Sequence, residues 1–144
     1  MPSIMSLFTF TKSERLFRKK SVDRLFKEGF SFFIHPFKVY WLNTPVESTY
    51  PVQVMIIVGK RAFKRAVDRN RIRRQVREIY RQNKPELYHF LEQRGQQCLL
   101  AFICTSGNIP EYPEMEKKIK SAFRRLMNDI DVKLNNINRS LSDN

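Results

Sequence analysis

At 144 residues, with 42 % apolar side chains and twelve phenylalanines, the chain can build one compact core but not two ordinary domains, and it is no disordered basic tail. A formal net charge of +13 costs self-repulsion and calls for a polyanionic partner, nucleic acid before an anionic membrane. No apolar run approaches the roughly 20 residues of a membrane helix, and the opening MPSIMSLFTFTKSER lacks the basic and apolar stretches of a secretory signal, so a soluble cytoplasmic protein is expected.

In chain order, Ser21 is the N-cap candidate of a short helix, with Asp23 in its first turn and Gly29 as its stop. Val22, Leu25 and Phe26 share one side of it. The aromatic segment SFFIHPFKVYWLN follows, broken by Pro36. Within it Phe37, Val39 and Trp41 alternate with Lys38, Tyr40 and Leu42, which predicts a strand with one buried side and one aromatic-polar side. Residues 43–51 read as a turn. Val52 to Val58 is a nearly continuous apolar strand of the kind covered on at least one face.

Gly59 ends that strand, and KRAFKRAVDRNRIRRQVREIYR begins. These 22 residues hold ten basic and two acidic side chains, +8 of the total +13. A helix is predicted from about Val67 to Gln82, stopped by Asn83 and Pro85, with a further helical turn or two between Glu86 and Gln93. Cys98 to Cys104 is another buried strand. Its two cysteines share a face but stand about 20 Å apart at roughly 3.3 Å per residue, so they cannot pair and read as reduced core residues. After the Gly107 and Pro110 turn, Met115, Ile119, Ala122, Phe123 and Leu126 mark an amphipathic helix reaching about Ile130. The expected organisation is an extension over residues 1–14, one α+β sandwich domain over 15–130, and a polar, disordered tail over 131–144.

On the basic helix, at about 100° per residue, Ile72, Val76, Ile79 and Tyr80 fall within one arc of roughly 100° and face the core. Arginines at 61, 65, 69, 73, 77 and 81 form a ridge that slants around the rest. Arginine suits forked contact with phosphate oxygens. A merely solvated face would mix signs for pairing along the helix, and here Asp68 and Glu78 are the only acids. A membrane-surface helix would need a wider apolar face than this one can spare.

The segment Lys60, Arg61, Ala66, Val67, Arg69, Asn70, Arg71, Ile72, Arg74, Arg77, Glu78 resembles the signature of the protein subunit of bacterial ribonuclease P, and the likeness extends over about Arg15 to Ile130. It implies an αβββαβα order, similar to a ribosomal-protein domain and including a left-handed βαβ crossover, where chain-topology rules favour the right-handed form. It also implies a ribonucleoprotein endonuclease whose RNA removes the 5′ leader of precursor tRNA with Mg²⁺ held by RNA and substrate, with no catalytic or metal-binding residue on the protein. Partners would be the catalytic RNA and precursor tRNA, with no membrane and no obligate protein partner. By position, Arg61, Arg65, Arg69, Asn70, Arg71, Arg73 and Arg74 would dock on the catalytic RNA. Phe26, Tyr40, Lys60 and Arg77 would line the cleft for the single-stranded leader.

Four residues before Phe26 the family often has an aromatic, and this chain has Val22. Stacking on a base is worth about 1–3 kcal/mol, so shape and charge are expected to grip the leader there. The isolated His35 and His89 and the scattered acids agree with a protein that does no chemistry itself. A rival reading is a non-catalytic RNA-binding or ribosome-associated module. A helix-turn-helix DNA binder would need a short helix across the basic one, where an apolar strand stands instead.

Overall fold

The computed structural model describes residues 10–142. The reading of the first nine residues as free of a secretory signal, and the last two residues of the predicted tail, lie outside the described residues. A 3-10 turn, Lys12–Glu14, precedes α1 (Lys19–Glu28), β1 (Phe30–Ile34), β2 (Phe37–Asn43), β3 (Val52–Val58), α2 (Ala66–Gln93), β4 (Cys98–Cys104) and α3 (Tyr112–Ser142). The four strands form one sheet in the order β1-β2-β4-β3. The β1–β2 and β2–β4 pairs are antiparallel; β3 and β4 are parallel, joined through α2. The predicted αβββαβα order and α+β class stand.

The alternation along the strands assigns the two faces. Phe32, Phe37, Val39, Trp41, Val52, Val54, Val58, Cys98, Leu100, Phe102 and Cys104 pack with α2 and α3 into the main core. On the opposite face Leu42, Leu99 and Ala101 meet Leu25 of α1 and Leu16 in a smaller cluster. Leu42, expected on the aromatic-polar side, is therefore buried there, because α1 lies over that end of the sheet. Gly29 lets α1 come so close: a Cβ at this position would sit 2.8 Å from the Trp41 carbonyl and 2.3 Å from that of Leu25. Both cysteines are free and buried, and burial pushes the Cys98 thiol up to about 12.

Four expectations about element ends change. α1 begins at Lys19 with Arg18 as its N-cap, so Ser21 lies inside it. The entry point is set upstream, where the Leu16 amide donates to the Val54 carbonyl (2.9 Å) and ties the chain beside β3. α2 does not stop at Asn83 and Pro85 but runs unbroken to Gln93. An internal proline costs about 3 kcal/mol, and the next two turns offset it by burying Leu87, Tyr88 and Leu91 at about 1.5–3 kcal/mol each. α3 continues past Ile130 to Ser142, through the segment expected to be a disordered tail. Leu134 packs on the core there, and the Arg94 guanidinium donates to Asp131 (2.7 and 3.2 Å).

The fourth change is at the domain's start, placed by sequence at residue 15. Glu14 is fully buried. One of its carboxylate oxygens accepts from the Thr11 amide (3.0 Å) and hydroxyl (3.2 Å). The other accepts from the Lys84 ammonium (2.5 Å) and the Tyr88 hydroxyl (2.6 Å), and the Tyr88 and Tyr80 hydroxyls lie 2.9 Å apart. Lys84 is as buried as Glu14. Burial holds its ammonium below the usual lysine range, while the bond to Glu14 pulls the other way.

Removing one partner of such a pair leaves a buried charge alone, at a cost of about 3–5 kcal/mol. Glu14→Ala should therefore lower the unfolding free energy by about that amount in urea titrations, and Glu14→Leu with Lys84→Met should recover most of it. A loss below about 1 kcal/mol for the single change would show that the pair does not hold the N-terminal segment.

Candidate nucleic-acid interface

The basic helix is anchored as its apolar spacing requires. Ile72, Val76, Ile79 and Tyr80 are all buried in the main core. Of the arginine ridge, Arg61 and Arg65 stand exposed in the approach to α2 and at its N-cap, whereas Arg69, Arg73, Arg77 and Arg81 are half-buried along its flank. Lys60, Lys64, Asn70, Arg71 and Arg74 are exposed. The ridge thus opens toward solvent at the helix start and sinks against the protein further along.

Several of these side chains are held in place before any partner arrives. Arg69 turns back and donates to the carbonyls of Phe63 and Lys64 (2.9 Å each), bracing the loop between β3 and α2. That loop is also closed on by residue 107, where a Cβ would lie 2.9 Å from the Ala62 carbonyl and only glycine fits. Arg73 donates to the Asn70 side-chain oxygen (2.8 Å), and Arg71 lies 4.0 Å from Asp68. Arg81 is bonded to Glu78 (2.5 and 3.0 Å), which leaves it a poorer docking group than its place in the ladder implied. Ordering the side chains in advance removes part of the entropy cost of binding.

Of the four residues assigned to a leader cleft, two are in mutual contact. Phe26 and Tyr40 meet edge to face, ring centroids 4.8 Å apart, on the sheet face that α1 covers. Lys38 places its ammonium 5.1 Å from the Tyr40 ring. Lys60 lies two residues beyond the end of β3. Arg77 packs with the N-terminal segment, its guanidinium 5.9 Å from the ring of Phe10, while Arg15 lies 5.3 Å from the same ring.

Burial first, then repulsion from Arg15 and Arg73, holds the Arg77 guanidinium below the ordinary arginine range. Its Nε is buried without a hydrogen-bond acceptor among the described residues. Phe10 and Arg15 are parts of this surface that sequence reasoning passed over. Thr11 and Glu14 form a threonine-x-x-glutamate pattern, the one local signal that this segment is ordered. Partnership with Lys84, seventy residues away, left no local trace.

A family model described as Ribonuclease P matches residues 10–127. A ribonuclease P protein component of Porphyromonas gingivalis (strain ATCC 33277) is 33 % identical over 124 residues, spanning 85 % of this chain and 90 % of that protein. One from Chlorobaculum tepidum is 34 % identical over 123 residues, covering 77 % and 78 %. Among solved structures, the RNase P protein of Staphylococcus aureus is similar at a TM-score of 0.61 and 19 % identity, over 80 % of this chain and 96 % of that one. The RNase P protein from Thermotoga maritima gives 0.60 and 22 %, over 78 % and 96 %.

If the ridge is the docking surface, binding to structured RNA should show a steep salt dependence. Neutralising six phosphates gives a log–log slope near −5, at about −0.9 per contact. Arg71→Ala with Arg74→Ala, both exposed and outside the core face, should flatten it by about 2. Filter-binding titrations across salt concentrations measure this, and a wild-type slope flatter than about −2 would remove the ridge from the interface.

Proposed function

The chain belongs to the ribonuclease P protein family, and on that premise we propose that it is the RNA-binding subunit of the cytoplasmic ribonucleoprotein that removes the 5′ leader from precursor tRNA. The observation that carries this reading is the division of α2 into a core face and an arginine face. Ile72, Val76, Ile79 and Tyr80 commit one side to the sheet. The other presents guanidinium groups with too few acids to neutralise them. Such a surface is costly alone and favourable against phosphate.

In this reading Arg61, Arg65, Arg69, Asn70, Arg71, Arg73 and Arg74 face the catalytic RNA. The Phe26–Tyr40 pair receives the single-stranded leader on the other side of the sheet, since an aromatic ring stacks on any base. Lys60 supplies charge at the end of β3. Arg77 would meet the leader along the edge that Phe10 and Arg15 share with it.

Chemistry falls to the RNA. The side chains do not fit a Mg²⁺ cage: among the described residues no three His, Cys, Asp or Glu side chains are grouped to hold a metal ion. Magnesium would be held by RNA and substrate phosphates, and would supply Lewis-acid activation of water there. The protein's contribution is to raise substrate affinity and to screen phosphate repulsion, which lowers the Mg²⁺ concentration the RNA needs.

Reconstitution tests this. Purified protein added to the catalytic RNA and precursor tRNA at low Mg²⁺ should accelerate 5′-leader cleavage well beyond the RNA alone, and Phe26→Ala should raise KM for long-leader substrates while leaving RNA docking intact. Equal cleavage with and without the protein would favour the rival, a binding module with no part in leader removal.

A further inference from the structure

Pairing across the sheet sorts its α1-facing side into three rows of neighbouring side chains: Leu42–Leu99–Gln53, Ser31–Tyr40–Ala101–Met55 and Phe33–Lys38–Ile103–Ile57. α1 and Leu16 cover the first two, through contacts of Leu25 and Val22 with Leu42, Leu99, Ala101, Tyr40 and Met55. Among the described residues, the third row has no such cover. Lys38, Ile103 and Ile57 are half-buried, and Phe33 is 55 % exposed, more than Phe26 at 37 %. This strip crosses the sheet from the free edge of β1 to Ile57, three residues before Lys60.

Phe33 is also placed in line with the Phe26–Tyr40 pair. It stands opposite Lys38, so Tyr40 is its diagonal neighbour on the same face, at roughly 7–8 Å between Cα atoms. The His35 ring lies 6.3 Å from it on the far side, and the Lys38 ammonium lies against Tyr40 in between. Aromatic rings with a cation set among them form a platform for single-stranded nucleic acid, with bases on the rings and phosphate on the ammonium. A phenylalanine with no such task is a liability on an edge strand, where exposed apolar residues invite unwanted pairing.

We infer that Phe33 is a second base-stacking position for the single-stranded leader, continuing the track from Phe26 and Tyr40 across Lys38 to the β1 edge. It supplies on the sheet the ring that Val22 withholds on the helix. The inference rests on the leader-binding role proposed for Phe26 and Tyr40 and adds a nucleotide subsite to it.

The test uses the reconstituted holoenzyme with precursor tRNAs of short and long leader, comparing Kd for the two in each variant. Phe33→Ala and Phe33→Leu should both shrink the affinity advantage of the long leader by roughly 5-fold or more. Phe33→Tyr, which keeps a ring, should retain it. Phe30→Leu, on the opposite face, serves as the control. Wild-type behaviour of Phe33→Leu would mean that an apolar group suffices and would overturn stacking. An equal loss for short and long leaders would overturn the subsite in favour of a general docking or structural effect. Phe26→Ala separates the two levels: if it also leaves the length dependence untouched, the leader cleft itself is misplaced, whereas a loss for Phe26→Ala alone rejects only the extension to Phe33.

Discussion

The buried contact between Glu14 and Lys84 is the constraint on which the rest of the surface depends. It joins the segment before α1 to the second half of α2, across seventy residues of sequence. Two charges taken out of water cost several kcal/mol each unless fully bonded. Here the Thr11 amide and hydroxyl, Tyr88 and, through it, Tyr80 complete the network. Such a pair adds little net stability over an apolar replacement, yet it tolerates one geometry. That geometry brings Phe10 against Tyr80 (centroids 5.7 Å apart) and places Arg15 beside Arg77.

The same contact bears on the length of α2. Lys84 directly precedes Pro85, where a helix read from local preference would end. With Lys84 held by Glu14, and with Leu87, Tyr88 and Leu91 buried beyond it, the helix continues through the proline to Gln93. Its 28 residues, about 42 Å at 1.5 Å per residue, make it a rigid rail. The first half carries the arginine ridge and the second half is sunk in the core. Like charges can be concentrated on the first half because burial elsewhere on the same helix supplies the free energy to hold them there.

The sheet divides its labour in a corresponding way. One face is closed by α2 and α3 and supplies most of the hydrophobic stabilisation. The other is only partly closed by α1, which leaves a strip of half-buried and exposed apolar side chains beside Phe26 and Tyr40. Partial closure is what makes a groove, and its aromatic rings next to lysine suit bases and phosphates together. The arginine ridge and the aromatic groove thus fall on different elements of one small domain, so each can be altered without the other.

Much of this was legible in the residues. The strands Val52–Val58 and Cys98–Cys104 stood out with their observed bounds, because an apolar run between glycine, proline and polar residues admits few other readings. The core faces of α2 and α3 followed from spacing, and the arginine ridge from charge density. What escaped were relations between distant segments: the Glu14–Lys84 pair, the run of α2 through Pro85, the ordering of α3 past Ile130, and the packing of Arg77 with Phe10. Periodicity reports which side of an element is apolar, because that is a local property of side-chain order. Which charges are paired, which proline is tolerated and which aromatic is left uncovered depend on what another part of the chain brings into contact. The sequence by itself therefore determined a basic α+β domain with a phosphate-seeking helix. Only the tertiary structure decided which of its arginines are already engaged and where its sheet lies open.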